Sequence, residues 1–342
     1  MHMIYRSKAP LRIGLAGGGT DVSPYSDLYG GAILNGTVSL YAYANIEPVE
    51  EHTITLRAMD RQEEQQFEWK HSLPIDGTLD LLKGVYNRIQ KQYGVPPNGF
   101  RLSTFVDAPA GSGLGTSSTL VVAIVGAFAE MLHLPLGEYD IAQLAYDIER
   151  NDLKLAGGKQ DQYAATFGGV NFMEFYANDK VIVNPLRIKQ RYLFELENNL
   201  LLYYTSTSRE SARIIEKQSQ NVVAKKEKSI DAMHQLKNQA QLMKEALLRG
   251  QIHEIGKILD YGFQQKKQMA EGISNSLMDE IYEAAKKAGA TGGKISGAGG
   301  GGFMTFYCPD NTKYAVTEAL SKFGGYVNKY QFVDHGLTTW CI

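Results

Sequence analysis

A chain of 342 residues, 44% apolar and 21% charged, has the balance of a folded globular protein. Its length exceeds the size at which a single hydrophobic core stops growing, so two domains are expected. With 35 Lys and Arg against 37 Asp and Glu, the formal charge of −2 provides no general basic surface for nucleic acid or an anionic membrane.

Arg6, Lys8 and Arg12 interrupt the apolar residues at the N-terminal end, which argues against a secretory leader. The longest apolar run, 120–129, is too short to cross a bilayer. Two cysteines, Cys308 and Cys341, make neither a disulfide framework nor a zinc spacing, so a reducing cytoplasm is the expected setting.

Residues 10–17 read as a strand running into a glycine turn, and 30–48 as a Gly-Gly turn feeding a long strand. Two alternating strands follow in "HTITLRAMD" and "QQFEWK". Leu79, Leu82, Val85, Tyr86 and Ile89 recur at helical spacing over 78–93. "GFRLSTFVDAP" is a strand stopped by Pro109. Helices are expected over 116–132 and 138–152, then strands in "GGVNFMEFY" and "KVIVNPLRI". Beyond about 190 the texture changes: one strand over 196–207, a long polar helical stretch over 208–285, a strand "FMTFYC", and a last helix and strand. The charged segment 225–250 reads as the solvated face of a helix. Strands and helices mix without a regular βαβ beat, so the class is α+β, divided into 1–190 and 191–342.

Two glycine segments stand apart from this pattern, "PAGSGLGTSSTLVV" at 109–122 and "GAGGGG" at 297–302. Neither is a familiar phosphate loop. "AGATGGKIS" fails the Walker A pattern at Ala288 and Ile295. "GAGGGG" satisfies G-x-G-x-x-G, but a strand rather than a helix follows it. No H-R-D or D-F-G kinase signature is present. Glycines mixed with short hydroxyl side chains still let backbone N–H groups close on an anion, and Gly115, Thr116, Ser117 and Ser118 sit where a helix begins. The plainer alternative is a glycine turn with an ordinary Ser/Thr helix cap.

"PAGSGLGTSS" resembles the P-x-x-x-G-L-G-S-S-A motif of the GHMP small-molecule kinases (galactokinase, homoserine kinase, mevalonate kinase, phosphomevalonate kinase), with Thr116 and Ser118 as departures that keep hydroxyls. "APLRIGLAGGGTD" (9–21) and "KISGAGGGGF" (294–303) are similar to the family's other two motifs, in the same order. The resemblance implies an N-terminal domain like ribosomal protein S5 domain 2, a ferredoxin-like C-terminal domain, and ATP and substrate in the cleft between.

What the resemblance implies for residues is specific. Pro109, Gly111, Ser112, Gly113, Leu114, Gly115, Thr116, Ser117 and Ser118 would hold the nucleotide. Ser117 and Glu149 would be ligands of Mg²⁺, which takes a few protein oxygens and keeps water and phosphates. Asp161 would orient or deprotonate the attacking hydroxyl, and Arg12 would hold it and stabilise charge, because a guanidinium cannot accept a proton. Gly18, Gly19, Thr20, Asp21, Gly158, Asp161, Gly299 and Gly300 would surround the substrate, Asp21 accepting vicinal hydroxyls of a sugar. Plainer readings remain beside these: Glu149 as a solvated helix charge, Asp161 as part of an Asx-type turn, and 297–302 as a strand-entry turn.

The expected activity is phosphoryl transfer from ATP to the anomeric hydroxyl of a small sugar phosphate, with no nucleic-acid or membrane partner; the oligomeric state is open. A sugar already bearing a phosphate needs a cation at its far end. "TSTSRES" at 205–211 suggests Arg209, with Lys159, Arg213 and Lys294 as alternatives and simple capping by Ser208 as the plain reading. Rival readings are a fucokinase- or galactokinase-like enzyme for an unphosphorylated sugar, and a sugar- and ATP-binding regulator without catalysis.

Overall fold

The structure is a computed structural model describing residues 3–207 and 211–342. Its first part contains β1 (Tyr5–Ala16), α1 (Tyr25–Tyr29), β2 (Gly31–Val49), β3 (Thr53–Ala58), β4 (Glu63–Glu68), α2 (Asp80–Tyr93) and β5 (Gly99–Val106). α3 (Thr116–Leu132), α4 (Glu138–Asp147), α5 (Gln160–Phe167), β6 (Val170–Phe175) and β7 (Val181–Pro185) continue it. Then come α6 (Gln190–Asn199), β8 (Leu200–Tyr204), α7 (Ser211–Val223), α8 (Glu227–Arg249), α9 (Ile255–Met269) and α10 (Ser276–Lys287). β9 (Gly292–Ile295), β10 (Phe303–Tyr307), α11 (Thr312–Leu320), β11 (Tyr326–Asn328) and β12 (Thr338–Cys341) finish the chain.

Eight strands form the first sheet, in the order β12-β1-β2-β5-β3-β4, with β6 on β2 and β7 on β6. β2 is long enough to serve two partners: residues 42–49 pair with β5 and residues 31–36 with β6. The second sheet is antiparallel, ordered β11-β8-β10-β9. Alternation fixes which face of the first sheet is dry. Ala42, Ala44 and Ile46 of β2 are fully buried against helices, while the residues between them face outward.

α3 is the helix on which that core is built. Val121, Val122, Ile124, Val125 and Phe128 are all fully buried, and the helix packs on both β1 and β2. An all-round apolar helix must lie inside, and this one carries the glycine segment at its N-terminal end. The α+β class, the long β2, the β3–β4 pair and the helices at 78–93 and 116–132 follow the sequence reading.

Two features depart from it. Residues 196–199 end α6 rather than opening a strand: Leu196 is buried, and the Asn199 amide is held by Glu195 one turn back at 2.8 Å and by Tyr307 at 3.1 Å. The helix expected over 138–152 is α-helical only to Asp147 and then widens into a π turn over Ile148–Asp152. There the Leu153 N–H reaches back to the Ile148 carbonyl at 3.0 Å, which rotates Glu149 inward. The last strand of the sequence reading is present as β12, which returns to the first sheet and pairs with β1.

Phe128 meets Phe100 edge to face at 5.6 Å between ring centres. Phe128→Ala should lower unfolding free energy by about 3–5 kcal/mol, read from urea denaturation monitored by circular dichroism.

Candidate active site

Arg12 occupies β1 with its side chain buried under the glycine loop. Its Nε donates to Asp161 Oδ1 at 2.7 Å, its Nη2 lies 2.6 Å from the same oxygen, and its Nη1 donates to the Gly113 carbonyl at 2.6 Å. The Arg12 backbone N–H adds a bond to the Leu114 carbonyl at 3.2 Å. One guanidinium therefore fixes both the carboxylate and the loop. Asp161 lies in the first turn of α5 and is 23% exposed at its side chain, so it is held without being sealed off.

The loop itself is built on close backbone approach. Gly113 has φ 83°, and a Cβ there would fall 2.7 Å from the Ser296 carbonyl, just before the second glycine segment. Phe303 N–H donates to the Ser112 carbonyl at 2.8 Å, closing the two segments on each other. α3 then starts from Gly115 with no side chain capping it. The first-turn N–H groups are left to the cavity and the helix dipole points the same way. Ser112 and Leu114 lie beneath the loop, fully buried, and Ser117 is exposed in the cavity.

Asp21 does a second job of positioning. Its Oδ2 accepts the Lys159 and Gln160 N–H groups at 2.8 and 3.1 Å, which caps α5 and sets the direction of Asp161. Burial pushes the Asp21 carboxyl above the usual carboxylate range, the Gln160 N–H opposes that shift, and the charge of Asp161 adds to it. Thr20 is turned away, its hydroxyl shared between the Gly17 and Ala32 carbonyls at 2.9 and 3.0 Å.

Glu149, on the π turn, is 2% exposed and forms part of the cavity wall. Gln162 donates to it, and Ser118 also supports its charged form. Arg150 approaches it at 3.6 Å. Burial nevertheless raises its carboxyl above the ordinary value. The Glu149 carboxylate and the exposed Ser117 hydroxyl both line the cavity, and together they are an all-oxygen donor pair of the kind Mg²⁺ takes. Among the described residues no cluster of three or more His, Cys, Asp or Glu could hold a metal unaided, so phosphate and water oxygens would have to complete the shell.

These groups line one cavity of about 300 Å³ between α3, α5 and the segments that follow β1 and β9. Gly19, Asp21 and Gly158 stand at one end and Gly111, Thr116 and Ser117 at the other, with Arg12 and Asp161 between them. On the opposite wall Gly297 and Ala298 face the cavity, whereas Gly299 and Gly300 pack on Ile273. Of the expected phosphate-binding cations, Lys159 is ion-paired with Asp179 at 2.8 Å. Lys294 donates to the Gly14 carbonyl at 2.6 Å, and Arg213 is exposed. Arg209 lies outside the described residues.

Several cavity residues escaped the sequence reading. Gln218 of α7 donates to the Gly19 carbonyl at 2.8 Å, and Lys266 of α9 reaches the Gly297 carbonyl. Both interrupt a buried stripe at helical spacing: Ile214, Gln218, Val222 and Leu259, Phe263, Lys266. A polar residue on the apolar face of a helix was the available signal. Gln162 and Arg150 carried none.

The sequence profile described as "GHMP kinases N terminal domain" matches residues 80–169, and "GHMP kinases C terminal" matches 243–325. A D-glycero-alpha-D-manno-heptose 7-phosphate kinase of Campylobacter jejuni subsp. jejuni is 49% identical over 98% of this chain and 99% of its own. The chain belongs to the GHMP kinase family. A crystal structure of a D-glycero-D-manno-heptose 1-phosphate kinase from Bacteroides thetaiotaomicron superposes with TM-score 0.84 and 47% identity, covering 98% of each chain. Lactococcus lactis galactokinase in complex with galactose shares the fold at TM-score 0.75 and 19% identity, over 98% of this chain and 95% of that one. GHMP kinases draw their phosphoryl group from ATP.

Gly158 admits no side chain, since a Cβ there would lie 1.8 Å from Asp21 Oδ2. Gly158→Ala should release Asp21 from α5, with a stability loss of about 1–3 kcal/mol from overpacking and a larger proportional loss of kinase activity. Urea melts and an ADP-release assay on the same preparation measure the two.

Proposed function

We propose that this GHMP kinase transfers the γ-phosphoryl group of ATP to the anomeric hydroxyl of D-glycero-D-manno-heptose 7-phosphate, giving the 1,7-bisphosphate. The observation that carries the reading is the Arg12–Asp161 pair, seated between the open N-terminal end of α3 and the Asp21 end of the cavity. The 49% identity to the heptose 7-phosphate kinase over nearly the whole chain supports the choice of sugar.

Phosphoryl transfer asks the protein for alignment, charge neutralisation and a place for the hydroxyl proton. The loop 111–118 and the first turn of α3 receive the ATP phosphates through backbone N–H groups. Asp161 takes the proton of the anomeric hydroxyl as its oxygen attacks the γ-phosphorus and the bond to ADP breaks. Arg12 holds the Asp161 carboxylate in line and offers positive charge to the group in transfer. Ser117 and Glu149 would hold Mg²⁺, which when bound neutralises charge on the phosphates. Asp21, with Oδ2 committed to α5, orders the sugar end. The division near residue 190 assigns the nucleotide loop and Asp161 to the first unit and the α7–α9 wall to the second. A cytoplasmic setting fits this chemistry.

A panel of heptose 7-phosphate, heptose 1-phosphate, free heptose, fucose and galactose, read by ADP release and product mass, tests the substrate. Turnover concentrated on heptose 7-phosphate supports the reading, and a preference for the 1-phosphate or for a free sugar defeats it. Asp161→Asn should reduce kcat by about 10²–10⁴-fold, the usual contribution of a positioned base, with ATP binding by calorimetry largely retained. Glu149→Gln should move the Mg²⁺ saturation curve to higher concentration while sugar binding without nucleotide is unchanged. An unmoved curve with a lowered melting temperature would make Glu149 a structural residue instead.

A further inference from the structure

The wall that α7, α9 and the second glycine segment present to the cavity is formed by Ala212, Ile215, Gln218, Lys266, Gly297 and Ala298. Among the described residues, Lys266 is the one charged side chain on it. It is also the cavity cation whose charge is least answered. Arg12 is bonded to Asp161, and Arg150 lies 3.6 Å from Glu149. Lys266 Nζ has the Gly297 carbonyl as its partner, and no described carboxylate lies within 4 Å of it. Two further cations stand near it, Lys294 and Arg12; Asp21 opposes the charge at Lys266, and Asp161 answers that of Arg12. Lys266 is 6% exposed. A buried ammonium without a counter-ion is costly, and a cluster of them calls for an anion.

Its place relative to the first motif says which anion. A Cβ on Gly18 would sit 3.9 Å from Lys266 Nζ, so the ammonium borders the Gly18–Asp21 turn, while its partner Gly297 packs against Gly113 of the nucleotide loop. Of the other described candidates, none lines the cavity: Lys159 is paired with Asp179, Arg213 is exposed, and Lys294 Nζ donates to the Gly14 carbonyl. We propose that the Lys266 ammonium receives the phosphate group that the sugar substrate already carries, exchanging the Gly297 carbonyl for phosphate oxygens. A phosphate dianion is a far stronger partner for an ammonium than a neutral carbonyl, so the exchange is favourable. This rests on the reading of the substrate as a sugar phosphate.

Burial, with Arg12 adding to it and Asp21 opposing, pushes the Lys266 ammonium down to about 8 in the unliganded protein. Proton loss above that pH should weaken capture of the substrate phosphate.

The test is a ratio. For wild type, Lys266→Met and Lys266→Arg, kcat/KM is measured with heptose 7-phosphate and with unphosphorylated heptose at fixed saturating ATP. Lys266→Met should cut the preference for the phosphorylated sugar by about 10–100-fold, the span of a charge-assisted hydrogen bond, mainly through KM. Lys266→Arg should recover part of that preference. In the wild type KM for the sugar phosphate should climb above about pH 8, and in Lys266→Arg the climb should shift to higher pH. Removing a buried unpaired charge should leave the melting temperature unchanged or raised, so Lys266→Met is expected to fold. Equal losses on both sugars would assign Lys266 to the transferred phosphoryl group, and no loss would remove it from recognition; either result overturns the proposal. A wild type without preference for the phosphorylated sugar would instead overturn the substrate reading beneath it.

Discussion

Gly113 and Gly297 approach so closely that a Cβ on Gly297 would lie 2.7 Å from the Gly113 Cα. Every other element of the site depends on that contact. It brings a loop fixed to α3 against a turn fixed to β9 and β10, backbone on backbone, so that the two sheets share one cavity. Arg12 completes the arrangement from below, because its guanidinium is bonded to the Gly113 carbonyl and to Asp161 together. The glycines of 111–115 thus serve two needs at once. Left-handed backbone turns the loop, and bare Cα atoms let the second segment close on it. A helix cap of Ser or Thr would have consumed the N–H groups that the loop leaves open.

Charge in the cavity is arranged by burial more than by pairing. Asp21 and Glu149 are carboxylates kept out of water, each with its proton affinity raised by that burial. Lys266 and Lys294 are ammoniums in the same position, with proton affinity lowered. Groups held this way are poorly solvated before a ligand arrives, so ligand charge meets little competing water. Electrostatic work done in assembling the empty cavity is thereby returned when an anion and a cation enter it.

Much of this was legible in the sequence. The apolar run after 115, the glycines at 111, 113 and 115, and the alternation in β2 fixed local structure with little ambiguity. The pairing of Arg12 with Asp161 was legible only through resemblance, because nothing local links residues so far apart. The rest was hidden for physical reasons. The π turn at Glu149 arises from one backbone bond that shifts register by a residue, and no composition signal marks it. Residues 196–199 carry strand-like apolar neighbours, yet Asn199 finds Glu195 and Tyr307, which tertiary packing alone supplies. Lys266 and Gln218 sit in the buried stripes of their helices, where their chemistry depends on what the opposite wall turns out to be.

The pairing of β12 with β1 has a consequence for how the chain reaches this state. β1 is the strand that carries Arg12, and its outer side is covered by a segment from the far end of the sequence, in register from Tyr5 opposite Cys341 to Lys8 opposite Thr338. Until that segment arrives, β1 presents a row of unpaired backbone groups, the template on which foreign strands add. The first sheet closes through one of the longest sequence separations in the molecule, and such contacts slow folding because loop closure must precede any gain from them. A fragment ending near residue 190 would hold α3 and the nucleotide loop, yet it would keep an adhesive edge on the strand bearing Arg12. The strand that carries the reactive centre is also the one on which the chain depends longest for protection against aggregation.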